Sequence, residues 1–165
     1  MHKVDELRSW TDLGRVLYVG AHCRNGRTPT LVDILKPQAD VLYCLEAFYP
    51  NAARATASGH FTTVLLGDIA VYPRPSLECF DTLVWWHGPE HVDLDVGKRL
   101  LKEFPCSRVW IGCPLGPREQ GAEYENEYEI HRSVWYPQDF TELGYQFTTY
   151  SHRQLAYIAA WRTRA

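Results

Sequence analysis

The chain contains no apolar run approaching the roughly 20 residues that a membrane-spanning helix needs. Its first stretch, Met1 to Trp10, alternates charged and apolar residues and lacks the apolar centre of a secretory signal. Paired cysteines are missing too. Cys23, Cys44, Cys79, Cys106 and Cys113 form no CxxC spacing and are odd in number, so free thiols are the simpler reading. A reducing compartment follows, and a cytoplasmic location is expected. An excess of one charge is also absent. Seventeen Lys and Arg stand against 20 Asp and Glu, a net charge of −3 that gives no long-range attraction for nucleic acid or anionic membrane. No repeat, low-complexity tract or linker divides the chain, so residues 1–165 are expected to form one domain: an N-terminal helix within residues 1–14 and a core over residues 15–162.

What is present is an ordinary globular composition, 45% hydrophobic and 22% charged over 165 residues, enough to bury a real core. Aromatic residues reach 13%, with six Trp and ten Tyr. Their polar atoms want partners, so some are expected to line a pocket or an interface.

Short β-rich runs alternate with helical stretches along the chain. RVLYVG (Arg15 to Gly20) is an apolar run ending at Gly, the pattern of a buried strand. Thr28-Pro29 reads as an N-cap and first helical residue, Leu31, Ile34 and Leu35 follow at helical spacing, and Pro37 stops the helix. Val41 to Leu45 is the second strand, and the alanine-rich stretch Pro50 to Ser58, closed by Gly59, is a helix. Phe61 to Leu66 is the third strand, residues 71–77 an irregular crossover with two prolines, and Phe80 to Trp86 the fourth strand. A helix over Leu94 to Phe104, a strand over Arg108 to Cys113 and a short helix over Gln138 to Leu143 follow. Strands Tyr145 to Tyr150 and Gln154 to Trp161 end the chain. The intervening turn Ser151-His152-Arg153 is too short for a parallel crossover, so that pair is antiparallel. The expected fold is α/β: a three-layer, Rossmann-like sandwich whose seven-stranded, mostly parallel sheet closes with an antiparallel hairpin.

In such a sheet ligands bind beyond the carboxyl ends of the strands. Gly20-Ala21-His22, Glu46, Gly67-Asp68 and Trp86-His87 occupy those places. A glycine after the first strand lets backbone amides approach a ligand. A carboxylate after the second suits a ribose diol, and Asp68 suits an adenine amino group.

The ordered set VLYVGAH, LEAF, LLGDIA, FDTLVWWHGPEHV and HRSVWYPQDFTELGY resembles the successive motifs of class I S-adenosylmethionine-dependent methyltransferases, over roughly residues 15–162. The resemblance implies S-adenosylmethionine as cofactor. Gly20, Ala21 and His22 would line its methionine side, Glu46 with Ala47 its ribose, Asp68 and Ile69 its adenine, and Trp86 and His87 the surroundings of the sulfonium. The chain departs from the family pattern at Tyr18, where an acidic residue is usual, and at His22 and Arg24, where glycines are usual.

His87, Glu90 and His91 form an HxxEH group, and His131 follows in the last motif. Residues three and four apart share a helical face, so the group can converge. Such donors suit zinc, iron or manganese better than magnesium. The pattern is similar to the ExxEH-plus-His metal site of small-RNA 3′-terminal 2′-O-methyltransferases, where the metal holds the methylated hydroxyl, and the Glu-His pair also appears in relatives of ubiquinone-pathway O-methyltransferases. The reading adopted from sequence is catalytic use of His87, His91 and His131, with His91 or His131 as general base and no metal counted among the cofactors. Ligation by His87, Glu90, His91 and His131 is the alternative beside it.

Residues 118–129 carry five glutamates with Tyr124 and Tyr128, expected as a solvated loop or a substrate-binding insertion that repels phosphate. Trp85, Trp86 and Trp135 are expected in the core or as pocket walls. The function expected is methyl transfer to an oxygen or nitrogen of a small-molecule substrate rather than a nucleic acid. Two alternatives stand beside it: a non-catalytic methyltransferase-like binding or regulatory module, and a nicotinamide-dependent dehydrogenase, whose GxGxxG the sequence GAHCRNG does not match.

Overall fold

The computed structural model describes residues 4–21, 31–152 and 154–164. Seven strands form one sheet: β1 (Gly14–Val19), β2 (Ala39–Glu46), β3 (Thr63–Leu66), β4 (Thr82–Trp86), β5 (Arg108–Pro114), β6 (Gln146–His152) and β7 (Leu155–Thr163). Their order is β3-β2-β1-β4-β5-β7-β6, with β7 antiparallel to both its neighbours and the other pairings parallel. The helices are α1 (Asp5–Ser9), α2 (Val32–Leu35), α3 (Tyr49–Ser58), α4 (Leu94–Glu103) and α5 (Pro137–Glu142). Among the described residues no helix is long and apolar enough to cross a membrane.

The two-residue period of a strand explains the layering. Val16, Tyr18, Val84, Trp110 and Trp161 point to one face, where α1, α2 and α3 cover them through Leu7, Val32, Leu35 and Ala55. Leu17, Val19, Leu83, Trp85, Val109 and Ile111 point to the other, under Leu101 of α4 and Phe140 of α5. Burial on both faces is why these strands read as unbroken apolar runs.

Local chemistry sets the element ends, and several differ from the sequence expectation. The N-terminal helix spans five residues of the expected region. Asp12 and Gly14 adopt φ of 52° and 63°, reversing the chain into β1. A side chain at position 14 would run into Asp81, whose Oδ2 accepts the Arg15 N–H at 2.8 Å. Phe61 precedes β3 instead of opening it and packs 6.0 Å from the Tyr18 ring. Phe80 likewise precedes β4 and meets Tyr43 edge-on at 5.2 Å. Pro105 ends α4 one residue before Phe104, because a residue preceding proline avoids helical geometry. The final hairpin is tighter than expected. Ser151 and His152 belong to β6, His152 pairs with Leu155, and Gln154 takes a φ of 67° in the turn. Thr28-Pro29, the expected cap of α2, lies outside the described residues.

The chain runs outward from β1 through β2 to β3 and then returns to β4 on the other side of β1. That reversal opens a crevice at the carboxyl ends of β1 and β4.

Candidate functional site

One cavity of about 640 Å³ lies at those carboxyl ends, lined by Gly20, Glu46, Ala47, Asp68, Ile69 and Trp86, and at its other end by His87, Glu90, His91 and His131. Such a volume falls within the range of small-molecule sites. Parallel pairing of β1 with β2 and β4, and of β2 with β3, brings Gly20, Glu46, Asp68 and Trp86 together from four neighbouring strand ends.

Gly20 ends β1 with its N–H bonded to the Leu45 carbonyl at 2.9 Å and a φ of 76°. Among the described residues a side chain there would meet nothing within 4 Å, and the bend faces the cavity. Glu46 closes β2 and is 5% exposed; its Oε1 accepts the Phe48 N–H at 2.9 Å. Asp68 accepts the Ala70 N–H at 2.9 Å, which rounds the chain after β3 and sends Ile69 into the core beside the cavity. Ala21, expected at the ligand, instead has its side chain fully buried in the apolar layer with Val16 and Leu35, because it follows the bend at Gly20 on the inward side. His22 lies outside the described residues.

Trp86 forms the floor between the two ends. Its ring stacks on Trp110 with centroids 4.7 Å apart, and Tyr150 and Tyr157 continue the aromatic column. Gly112 makes room for it: a methyl group there would overlap the Trp86 ring.

His87 takes a φ of 53°, and its N–H is bonded to the Gly112 carbonyl at 2.7 Å. Pro89 breaks a regular helical phase across the HxxEH group and opens a 3-10 turn over Pro89–His91. His87 precedes that turn and so shares no regular helical face with Glu90 and His91. Nonetheless its Nδ1 lies 3.4 Å from Glu90 Oε1, and His91 Nε2 lies 4.0 Å from the same oxygen. Glu90 is 2% exposed, and its Oε2 is buried without a hydrogen-bond partner among the described residues.

His131 arrives from 40 residues later by main-chain pinning. The Arg132 and Ser133 N–H groups both donate to the Glu90 carbonyl, and the Ser133 hydroxyl donates to that of Pro89 at 3.0 Å. The His91 and His131 rings then sit 5.0 Å apart. Each is oriented by a backbone carbonyl: Nδ1 of His91 lies 3.3 Å from Ile130 O, and Nδ1 of His131 lies 2.8 Å from Arg118 O. Burial holds the His131 imidazole below its ordinary pKa, against the opposing pull of the Arg118 carbonyl and the Glu90 charge.

The loop after β5 is more than solvated surface. Arg118, Gln120, Glu123, Asn126, Tyr128 and Glu129 all reach the cavity. Asn126 is buried and accepts the Tyr128 N–H at 3.0 Å, while Gln120 Nε2 donates to the Glu129 carbonyl. Arg118 also donates to the Tyr157 hydroxyl at 2.7 Å, tying the loop to β7. Sequence reasoning missed Tyr157 and Arg132. Tyr157 sits in a strand whose alternation announces only a sheet, and Arg132 is placed by its bond to Glu90. The tyrosine–glutamate density of residues 118–129 and their place just after the fifth strand were the advance signals of a lining loop.

No known family model matches the chain, and no curated protein does. Solved structures do match. The complex of DhpI with S-adenosylhomocysteine superposes with a TM-score of 0.68 at 17% identity, over 98% of this chain and 82% of that one. The methyltransferase domain of bacterial CtHen1 gives a TM-score of 0.58 at 15% identity, over 98% and 93%. A Rhodobacter sphaeroides structure provisionally described as a zinc-dependent alcohol dehydrogenase gives 0.66 at 9% identity, over 98% and 87%. Likeness at these identities establishes the shared fold.

Proposed function

We propose that this chain transfers a methyl group from S-adenosylmethionine to an oxygen or nitrogen atom of a small polar acceptor. The observation that carries the proposal is the shared cavity: the bend at Gly20 and the buried carboxylate of Glu46 open onto the same space as three histidines. The fold supports the cofactor, since DhpI holds S-adenosylhomocysteine on it. So does the local geometry. Among the described residues nothing fills the space beyond Gly20, which suits a thioether tail against the backbone, and the Glu46 carboxylate stands at a strand end suited to a ribose diol. Asp68 and Ile69 give the adenine end one polar and one apolar contact.

When bound, the cofactor supplies a methyl carbon on positively charged sulfur, whose C–S bond breaks as the acceptor's bond to that carbon forms, leaving S-adenosylhomocysteine. The protein's share is alignment and proton removal. Trp86, fixed by its stack on Trp110, walls the path between the two halves of the cavity. The acceptor lies beyond it among His87, His91 and His131, and its proton passes to an imidazole there and then to water. A small acceptor is favoured over a nucleic acid. Among the described residues Glu123 and Glu129 share the mouth with Arg118 and Arg132, and these carboxylates disfavour a phosphate backbone.

The test is turnover. The protein is mixed with S-adenosylmethionine and a panel of small alcohols, phenols and amines, and S-adenosylhomocysteine release is followed. Release that depends on an acceptor and is lost in His87→Ala supports the reading. Cofactor binding with no release for any acceptor would favour the non-catalytic module instead.

A further inference from the structure

The histidine group holds more than methyl transfer requires. Glu90, His91 and His131 each offer a ligand atom, and these atoms all lie within 4.8 Å of one another. We propose that these three residues bind a divalent first-row cation of the zinc, cobalt or iron(II) type at the acceptor end of the cavity.

Four observations point there. The first is the buried Glu90 Oε2, which has no hydrogen-bond partner among the described residues although its residue is 2% exposed. A carboxylate in that position is costly unless a positive centre or a donor meets it. The second is the orientation of the imidazoles. Because Nδ1 of His91 and of His131 each face a carbonyl oxygen, that nitrogen must carry the proton, and the Nε2 lone pair is left for a ligand. Outer-shell bonds of this type are what orient metal-ligating histidines. The third is preorganisation, since Arg132 and Ser133 fix the remote ligand segment to the Glu90 main chain before any ion arrives. The fourth is spacing. Ligand bonds of about 2.0–2.2 Å put two donors of one ion no more than about 4.4 Å apart. The 4.0 Å between Glu90 Oε1 and His91 Nε2 already satisfies this, and the widest pair needs only a small side-chain shift.

Two imidazole nitrogens and one carboxylate oxygen favour borderline cations over magnesium or calcium, and three protein ligands leave open positions. Resting on the methyl-transfer reading, those positions hold the acceptor's oxygen, which makes a hydroxyl-bearing acceptor the substrate class. His87 is not one of the three ligands, so with the ion bound it is the imidazole left to take the acceptor's proton, beside Glu90 at 3.4 Å.

Chelator-treated protein in a Cys79→Ser background, which removes the exposed thiol among the described residues, is titrated with Co²⁺. Visible absorption and equilibrium dialysis report uptake. One saturable equivalent is expected, with affinity lowered about tenfold or more in Glu90→Gln and in His131→Ala. Thermal melts check that each variant is folded, and His131→Gln replaces any variant that is not. No saturable uptake, or uptake equal in the variants, overturns the site. Calorimetry with S-adenosylhomocysteine runs in parallel. Cobalt binding without it would keep the ion site and remove methyl transfer, and the converse would remove the ion site alone.

Discussion

His87 Nδ1 lies 3.4 Å from Glu90 Oε1 because the backbone at His87 is held at a φ of 53°. A side chain other than glycine in that region costs about 1–2 kcal/mol, and such positions gather where a site over-determines the geometry. The ring is also placed edge-on to Tyr157 at 5.6 Å and to Trp86 at 5.0 Å. Conformation, carboxylate and aromatic walls together aim one imidazole at the cavity.

The first prediction separates strain from chemistry at this residue. His87→Gly and His87→Ala both abolish acceptor-dependent release of S-adenosylhomocysteine. In urea denaturation the glycine variant is more stable than the alanine variant by about 1 kcal/mol. Equal stability would mean that the backbone there stores no strain.

Gly112→Ala tests the floor of the cavity. The added methyl overlaps the Trp86 ring and must push it off Trp110. Overpacking of this type destabilises by about 1–3 kcal/mol. The near-ultraviolet circular dichroism of the tryptophans changes, and S-adenosylhomocysteine binds more weakly. Wild-type affinity in this variant would show that Trp86 does not wall the cofactor site.

Thiol reactivity follows burial. Cys106 is pushed up to about 11 and Cys113 well above its ordinary value, each chiefly by burial, while Cys79 is exposed. The thiolate is the reacting form, so raised values mean slow reaction. Iodoacetamide near pH 8 therefore labels Cys79 in the native protein, and Cys106 and Cys113 only after unfolding, as read by mass spectrometry. Native labelling of Cys113 would contradict its buried place within β5.

The sheet was legible because burial on both faces leaves long apolar runs that glycine, proline and acidic residues interrupt. Val16 and Tyr18 against Leu17 and Val19 show that alternation in the folded layers. The strand-end residues Gly20, Glu46 and Asp68 followed directly, since parallel strands bring their carboxyl ends to one rim. Side-chain direction did not follow. Ala21 turns inward because the chain has already bent at Gly20, which no residue pattern announces. The HxxEH spacing suggested a helical face, yet the convergence comes from a 3-10 turn, a left-handed His87 and main-chain bonds from Arg132 and Ser133. Tyr157 and Arg118 meet through hairpin register and loop closure across 39 residues, beyond the reach of local periodicity.

Calorimetric titration of S-adenosylhomocysteine into the wild-type chain and into Glu46→Ala tests the account most directly. Wild type is predicted to bind one equivalent. Loss of hydrogen bonds to a charged acceptor, worth about 1.5–3 kcal/mol, lowers affinity in the variant by about tenfold to a hundredfold. No binding by the wild type, or equal affinity in the two proteins, would contradict it.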